Sequence, residues 1–147
     1  LDPAIEQQFN VRYVDFDTLL AQSDILSLHA PLTAQTKHLF NAKTFNKMKR
    51  GAMLINTARG ELIDEAALVE ALRTGQLSSA GLDTFEGEPP RADHPLLHMD
   101  QVVVTPHSAG SVYDNVPHIV GHMFRNIKLF FNQHALDPAD LIVAPKS

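Results

Sequence analysis

The sequence predicts an α/β fold in which helices flank a parallel sheet of the Rossmann type. Short apolar runs alternate with helical patterns along the chain, and the connections between them are short. The run Ala52–Asn56 shows no polar alternation, which is typical of a strand covered by helices on both faces. With 147 residues, 44% of them hydrophobic, the chain is long enough to form one domain with its own core.

The segment 52–72 is central to this prediction because it reads as a strand, a tight turn and a helix. Asp64 is a good helix N-cap, and Gly75 lies where a glycine commonly ends a helix. Gly60 directly follows Arg59, and we interpret it as a residue whose backbone adopts a conformation that other residues resist. Arg59 is therefore expected at the carboxyl end of a parallel strand, the edge where open α/β sheets bind ligands.

The chain before this segment is predicted to form short helices and strands in turn. The expected elements are a helix over Ala4–Phe9 with Asp2 as its cap and Pro3 at its start, a strand over Val11–Val14, a helix from its cap Asp17 to Leu20, a strand over Asp24–His29, and a helix from its cap Asn41 to about Lys49. Phe45 and Met48 are expected to face inward from the last of these helices.

The chain after it is predicted to form two strands, a loop between them and a long helix. The strands cover Ser79–Asp83 and Gln101–Thr105, the loop covers Glu86–Pro95, and the helix covers 111–133. The helix carries a wide apolar stripe, and Pro117 either kinks it or marks its first turn. The tail 134–147 has weak structural signals, and we expect it to pack on another part of the protein.

Composition and charge exclude several classes of protein. The net charge is −5, with 17 acidic and 12 basic residues, which argues against a nucleic acid or an anionic membrane surface as partner. There is no cysteine, so disulfides, thiolate chemistry and cysteine-ligated zinc are excluded. No apolar run is long enough to cross a bilayer, and Leu1 begins no signal-peptide pattern. We therefore expect a soluble, cytoplasmic protein and, because Leu1 is not Met, a fragment or a processed product.

A feature that dinucleotide-binding enzymes normally share is missing from the sequence. The seven glycines form no G-x-G-x-x-G, the loop that seats a cofactor pyrophosphate at a helix N-terminus. Pattern and composition by themselves thus indicate an α/β domain with a functional edge.

Four motifs, through their order and spacing, identify a family. They are SLHAPLT at 27–33, NTARG at 56–60, GLDTFEGEP at 81–89 and TPHSAG at 105–110. Together they resemble the D-isomer-specific 2-hydroxyacid dehydrogenases, and most closely the glyoxylate/hydroxypyruvate-reductase-like members. The resemblance runs from Leu1 to at least Phe131. It implies the second half of an NAD(P)-binding domain over 1–110, with the glycine fingerprint upstream of Leu1, and a long helix and tail leading back to a substrate domain over 111–147.

The resemblance implies catalytic roles for three residues. Arg59 matches the arginine that binds the substrate carboxylate and polarises the keto oxygen, and a guanidinium suits this role because it stays charged and donates two parallel hydrogen bonds. His107 matches the general acid/base that protonates the carbonyl oxygen as hydride arrives from the nicotinamide. Glu88 matches the carboxylate paired with that histidine, whose charge favours the imidazolium and holds the ring in place.

The resemblance also implies contacts with NAD or NADP. Asp83 matches the residue that bonds the nicotinamide carboxamide. The other cofactor-binding positions that it implies are Ala30, Pro31, Thr36, Thr57, Ala58, Arg59, His107, Ala109 and Gly110. The residue that separates NAD from NADP normally follows the second strand of this fold. That position would lie before Leu1, so both cofactors stay open.

The candidate residues have plainer alternatives. Arg59 taken by itself could be a surface salt-bridge partner, and Asp83 could simply end a strand. Glu86 is the rival of Glu88, and the spacing from Asp83 in the family favours Glu88.

The other histidines are interpreted as structural. His29 ends a predicted strand, while His118 and His122 stand four apart on the predicted long helix, a spacing that can hold zinc. They lack the intervening glutamate of H-E-x-x-H and an evident third ligand, so no metal site is predicted.

Two functional classes follow from the sequence. The first is an oxidoreductase that transfers a hydride between NAD(P)H and a small 2-keto or D-2-hydroxy acid, with a homodimer expected from the family. The second is a non-catalytic nicotinamide-binding module with a regulatory or interaction role on the same fold. The intact set of Arg59, Glu88 and His107 favours the enzyme. Without a pyrophosphate loop, we expect the 147-residue chain by itself to bind cofactor poorly and to be inactive.

Overall fold

The computed structural model describes residues 3–141, which form two compact units. The first unit extends to His107 and contains a parallel four-stranded sheet in the order β1-β2-β3-β4. Its strands are β1 (Ile25–Leu28), β2 (Ala52–Asn56), β3 (Leu77–Leu82) and β4 (Val102–Val104). Its helices are α1 (Pro3–Phe9), α2 (Phe16–Gln22), α3 (Ala42–Lys47) and α4 (Glu65–Arg73). The predicted α/β fold with a parallel sheet is confirmed.

The strand register aligns the carboxyl ends of the four strands. Leu28 pairs with Asn56, Asn56 with Leu82, and Leu82 with Val104. Because the strands are parallel, the segments that follow these positions leave the sheet at one common edge. These segments begin at His29, Thr57, Asp83 and Thr105.

The core of the first unit lies on one face of the sheet. Leu26, Leu54 and Ala80 belong to this face and are at most 4% exposed. They join a single cluster of buried side chains with residues from the helices, among them Phe45 of α3 and Leu68 of α4. Burial of such side chains is the main stabilising contribution to a domain of this size.

The other face of the sheet is exposed. Ile25, Met53 and Val103 are 55%, 41% and 69% exposed. Helices therefore cover one face of β2 within residues 3–141, and the prediction that Ala52–Asn56 is covered on both faces is wrong for this part of the chain. The strand itself spans Ala52–Asn56 as predicted.

The predicted helix ends around the central segment agree with the structure. Asp64 caps α4, and its Oδ1 accepts a hydrogen bond from the Ala67 N–H at 3.1 Å. Asn41 caps α3 in the same way. Gly75 has a φ of 68°, the left-handed conformation that glycine favours just after a helix. Both caps and the terminal glycine are confirmed.

The segment 11–14 is not a strand, contrary to prediction. Its backbone is bound to α1: the Val11 N–H donates to the carbonyl oxygen of Glu6 at 2.9 Å, and the Tyr13 N–H donates to the Glu6 carboxylate at 2.5 Å. Val11 and Tyr13 are 50% and 71% exposed. Alternating apolar residues become a strand only where a neighbouring strand pairs with them, and none does so here within the described residues.

Two local interpretations are also wrong. Helix α2 is capped by Asp15, whose carboxylate accepts the Thr18 N–H at 2.9 Å, whereas Asp17 lies in the first turn and binds Lys47. Gly60 is not among the described residues with a positive φ, so backbone conformation does not explain why a glycine occurs at this position. The predicted cap Asp2 lies outside the described residues.

The second unit begins at Ser108 and contains α5 (Val116–Phe131). Pro117 lies in the first turn of α5, where its missing N–H has no partner to lose, so of the two predicted alternatives it marks the first turn. The helix therefore begins at Val116, and the predicted start at residue 111 is wrong. The apolar stripe of α5 is exposed; Phe124 and Phe131 are 58% and 78% exposed. Among the described residues, no helix has the length and apolar character needed to cross a membrane.

The chain after α5 contains a short 3₁₀ turn over Pro138–Asp140. Oδ1 of Asp140 lies 2.9 Å from Nε2 of His122, and Asn126 donates to the other carboxylate oxygen at 3.0 Å. The pKa of Asp140 is lowered by these two contacts, with Asn126 contributing more. His122 and Asn126 of α5 thus both contact Asp140 within this unit. Residues 142–147 of the predicted tail lie outside the described residues.

Candidate active site

The turn that carries Arg59 is built on Asn56, the last residue of β2. Asn56 is fully buried, at 0% exposed. Its Oδ1 accepts a hydrogen bond from the Ala58 N–H at 3.0 Å, and its Nδ2 donates to the carbonyl oxygen of Arg59 at 2.8 Å. These bonds fold the backbone back directly after the strand. The Arg59 side chain is exposed at the sheet edge, where its guanidinium can meet an anionic ligand.

Gly60 allows a second loop to pack directly on this turn. A Cβ built on Gly60 would lie 1.9 Å from the carbonyl carbon of Phe85 and 2.4 Å from the nitrogen of Glu86. Because both are backbone atoms, no rotamer change could make room for a side chain at position 60. Close approach, not turn conformation, is therefore the reason for this glycine, and it brings the loop 84–88 against Arg59.

Glu88 and His107 form a hydrogen-bonded pair. Nδ1 of His107 lies 2.7 Å from Oε2 of Glu88, and Oε1 of Glu88 accepts the Phe85 N–H at 3.0 Å. Both contacts lower the pKa of Glu88, the hydrogen bond from His107 more than that from Phe85. The carboxylate is thus oriented on both sides, and the imidazole is held through Nδ1 with Nε2 facing away from Glu88.

The rival carboxylate, Glu86, is engaged elsewhere. Its Oε1 lies 3.2 Å from Nε2 of His38 and 3.9 Å from Nζ of Lys37. The contact with His107 therefore belongs to Glu88, the residue that the resemblance indicates.

His107 has an unusual backbone. Its φ is 52°, in the left-handed region that residues other than glycine seldom adopt. The His107 N–H donates to the carbonyl oxygen of Thr105 at 3.0 Å, which closes a tight turn directly after β4. Backbone strain of this kind is concentrated at functional sites, where the surrounding structure maintains it.

Predicted site residues line three cavities of the first unit. The first, of about 560 Å³, is lined by Arg59 together with His29, Ala30, Pro31, Leu32, Thr57 and Ala58. The second, of about 600 Å³, is lined by the loops after β3 and β4, including Asp83, Glu88 and His107. The third, of about 210 Å³, is lined by Arg59, Glu88 and His107 together. The structure therefore places the three predicted catalytic residues around one cavity, while their catalytic roles stay predictions.

Asp83 and Thr36 differ in their surroundings. Asp83 is 3% exposed, lines the 600 Å³ cavity and accepts a hydrogen bond from the hydroxyl of Thr105. Thr36 does not line these cavities; its hydroxyl donates to the carbonyl oxygen of Pro31 at 2.7 Å and accepts the Thr33 N–H at 2.8 Å. Thr36 thus fixes the loop that carries Pro31. Ala109 and Gly110 belong to the second unit. The cofactor role of all these residues stays a prediction.

Several residues that build the site were not predicted. Asn56 could have been recognised, because an asparagine at a strand end commonly bonds the backbone two residues on. Glu65 and His94 form a second pair 29 positions apart, which no local pattern signals. Thr84 lines the 210 Å³ cavity wall, and its buried hydroxyl has no hydrogen-bond partner among the described residues.

A parallel α/β sheet with polar site residues at its carboxyl edge is the architecture of dinucleotide-binding domains. The sequence profile of the D-isomer specific 2-hydroxyacid dehydrogenase NAD-binding domain matches residues 2–109. The chain belongs to this family, and the resemblance identified from the four motifs is confirmed.

Curated and solved proteins agree with this membership. Glyoxylate/hydroxypyruvate reductase B of Escherichia coli is 50% identical over 109 residues, which are 74% of this chain and 34% of that protein. The structure of D-lactate dehydrogenase with NAD⁺ from Lactobacillus jensenii has a TM-score of 0.83 at 36% identity, covering 99% of this chain and 46% of the other. A D-isomer specific 2-hydroxyacid dehydrogenase from Xanthobacter autotrophicus, in complex with NADPH, has a TM-score of 0.71 at 39% identity, covering 84% and 52%. The chain thus spans about a third of the curated relative and about half of each solved chain.

Proposed function

We propose that the protein formed by this chain reduces a small 2-keto acid to a D-2-hydroxy acid with NADH or NADPH. The observation that carries the proposal is the 210 Å³ cavity lined by Arg59, Glu88 and His107, because it offers a carboxylate-binding cation beside a histidine–carboxylate pair. Membership of a dehydrogenase family and the 50% identity to a glyoxylate/hydroxypyruvate reductase support it.

The residues at the sheet edge fit a nicotinamide cofactor. The cavity that contains Ala30, Pro31, Thr57 and Ala58 has small side chains that let an extended ligand approach the backbone. Asp83, beside the catalytic pair, is an acceptor of the kind that a carboxamide N–H requires. When bound, the cofactor supplies the hydride.

The chain's own residues supply the binding of the keto acid and the proton. Arg59 binds the substrate carboxylate through its guanidinium and polarises the neighbouring keto oxygen. His107 gives a proton from Nε2 to that oxygen as it becomes an alkoxide, because its Nδ1 is directed to Glu88. Glu88 holds the ring and stabilises the imidazolium before transfer. In the oxidative direction, Nε2 of His107 takes the hydroxyl proton back.

The glycine-rich pyrophosphate loop is missing from residues 1–147, so we propose that activity depends on further polypeptide. We assign residues 1–110 to the NAD(P)-binding domain and 111–147 to a return toward a substrate domain. The test is a fluorescence titration of NADH and NADPH into this chain and into the whole product of its gene. Binding by the gene product alone supports the proposal and identifies the preferred cofactor. Equal binding by this chain contradicts the dependence on a missing loop.

Turnover tests the reaction itself. NADH- and NADPH-dependent reduction of glyoxylate and hydroxypyruvate is measured with the whole gene product and with Arg59→Lys. We expect the lysine variant to raise KM at least about tenfold, because a point charge replaces a bidentate donor. A gene product that binds cofactor but reduces none of a panel of 2-keto acids would favour the non-catalytic regulatory module.

Assembly and location form a separate part of the proposal: a homodimer in the cytoplasm. The exposed apolar side chains of α5, among them Ile119, Met123 and Phe124, are the kind of surface that protein contacts cover. Light scattering of the whole gene product tests the dimer, and a monomer at micromolar concentration would overturn it.

A further inference from the structure

A second histidine–glutamate pair contacts the loop that carries Glu88. Nε2 of His94 lies 3.0 Å from Oε2 of Glu65, the first residue of α4. Their side chains are 20% and 17% exposed, compared with 50% and 37% for His107 and Glu88. The Glu65–His94 pair is therefore better shielded from water.

The two glutamates hold consecutive peptide groups of one loop. Oε1 of Glu88 accepts the Phe85 N–H at 3.0 Å, and Oε1 of Glu65 accepts the Glu86 N–H at 2.9 Å. These N–H groups belong to adjacent rigid peptide planes that share the Cα of Phe85, so the position of one plane restrains the other. The direction of the Glu88 carboxylate thus depends on where Glu65 holds the loop.

The same loop is fixed by contacts on its other sides. Gly60 leaves no space for movement toward the Arg59 turn, since even a Cβ would meet the backbone of Phe85. The Phe85 ring is buried and packs edge-on against the His94 ring, with 5.5 Å between ring centroids. Packing and hydrogen bonds therefore restrain the loop on several sides.

The hydrogen bonds of His94 determine where its proton lies. Its Nδ1 accepts the Leu96 N–H at 3.3 Å, so the ring proton is on Nε2 and points to Glu65. Glu65 consequently receives one hydrogen bond on each oxygen, from His94 and from the Glu86 backbone. The two carboxylate oxygens of Glu65 thus connect α4 with the loop and with the 3₁₀ turn over Pro95–His98.

We propose that Glu65 and His94 are positioning residues for the reaction: they fix the loop 84–88 and so hold the Glu88 carboxylate against Nδ1 of His107. This inference rests on the proposed function, in which that contact directs Nε2 of His107 to the substrate. Neither residue lines the cavity that contains His107 and Arg59, so both act through the loop and not through substrate contact.

The first test measures which ring nitrogen of His107 carries the proton and does not depend on enzyme activity. The chain is labelled with ¹⁵N-histidine, and long-range ¹H–¹⁵N spectra at alkaline pH report which ring nitrogen carries the proton. Wild type should show His107 protonated mainly on Nδ1, because Glu88 selects that form. Glu88→Gln should reduce the Nδ1–H share, and Glu65→Ala should reduce it in the same direction. Glu70→Ala, an exposed position on the same helix, should leave it unchanged.

The second test uses the kinetics of the whole gene product. NADH-dependent reduction of hydroxypyruvate by Glu65→Ala should show kcat lowered about tenfold to a hundredfold, with KM within about twofold of wild type, since displacement of a catalytic group affects the chemical step. Glu65→Gln keeps an acceptor for the Glu86 N–H but turns an NH2 group toward the Nε2–H of His94, so its kcat should fall between those of Glu65→Ala and wild type. His94→Phe, which keeps the ring contact with Phe85, should resemble Glu65→Ala in kcat.

The outcomes separate this inference from the proposed function. The positioning role would be overturned if the Nδ1–H share of His107 were unchanged in Glu65→Ala and Glu65→Gln but lowered in Glu88→Gln. If Glu65→Ala does not fold, the His107 ring spectra of Glu65→Gln and His94→Phe are measured instead. A wild-type Nδ1–H share in both variants would overturn the positioning role. A wild-type gene product without reductase activity, but with the expected ring spectra, would overturn the proposed function and leave the positioning of Glu88 supported.

Discussion

Gly60 faces the backbone of Phe85 so closely that a Cβ on Gly60 would lie 1.9 Å from the Phe85 carbonyl carbon. Gly60 follows Arg59 directly, and Phe85 donates its N–H to Glu88 at 3.0 Å. The turn with Arg59 and the loop with Glu88 are therefore in backbone contact. This contact restrains the distance between the two backbone segments that carry Arg59 and Glu88.

Replacing Gly60 with alanine should damage both stability and activity. We expect Gly60→Ala to lower the free energy of unfolding by about 1–3 kcal/mol, because the new methyl group overlaps backbone atoms that cannot move aside. Chemical denaturation measures the loss. Gly87→Ala is the matched control, since a Cβ at position 87 meets no atom within 4 Å and should change stability by less than about 0.5 kcal/mol. Equal stability of Gly60→Ala and wild type would show that the loop is not packed as described.

The Glu88–His107 contact should be visible in the pH dependence of stability. The pKa of Glu88 is lowered from 4.5 in the folded protein, chiefly by the hydrogen bond from His107 and then by the Phe85 N–H. A lowered carboxyl pKa stabilises the fold above the unfolded value and loses this contribution as the pH falls through the folded value. Wild type should therefore lose more Tm than Glu88→Gln between about pH 5 and pH 3.

The control for this titration is Glu70→Gln. It removes a carboxylate from an exposed position of α4 and so separates the loss of a charge from the loss of the Glu88 contacts. Parallel Tm curves for wild type and Glu88→Gln would contradict a Glu88 that is stabilised by His107.

Local sequence patterns were sufficient to predict those strands and helix ends that are determined by neighbouring residues. The strand Ala52–Asn56 and the caps Asn41 and Asp64 depend on residues within a few positions, and the structure has them where predicted. The segment 11–14 has an equally good local pattern but no partner strand among the described residues. Local propensity therefore indicated a strand that the tertiary structure does not form.

The site shows the same division. Arg59, Glu88 and His107 were recognised because they belong to motifs, and the structure adds that they line one cavity. What holds them could not be recognised: the packing of Gly60 on Phe85 and the bond from Glu65 to the Glu86 N–H join segments more than 20 positions apart. Such contacts depend on how loops meet at the sheet edge, which no window of sequence contains.

Thr84 offers a prediction of increased stability. Its hydroxyl is buried and has no hydrogen-bond partner within residues 3–141. Since a buried hydroxyl without a partner is destabilising, Thr84→Val should raise the free energy of unfolding by up to about 1 kcal/mol. Denaturation of Thr84→Val and Thr84→Ser distinguishes the causes, because serine keeps the hydroxyl and loses the methyl group. Destabilisation by valine would mean that the hydroxyl has a partner in the folded protein.

The left-handed backbone of His107 decides which variant tests its role as general acid. Asparagine tolerates a positive φ better than other residues, whereas valine at a φ of 52° should be strained by about 1–3 kcal/mol. His107→Asn should therefore lose only the stability that comes from the Glu88 contact, while the reductase activity of the whole gene product falls at least about a hundredfold, the usual contribution of a general acid. His107→Val should lose both stability and activity. If His107→Asn retained most of the activity, the proton would have to come from another group at the cavity, and the role assigned to Nε2 would be wrong.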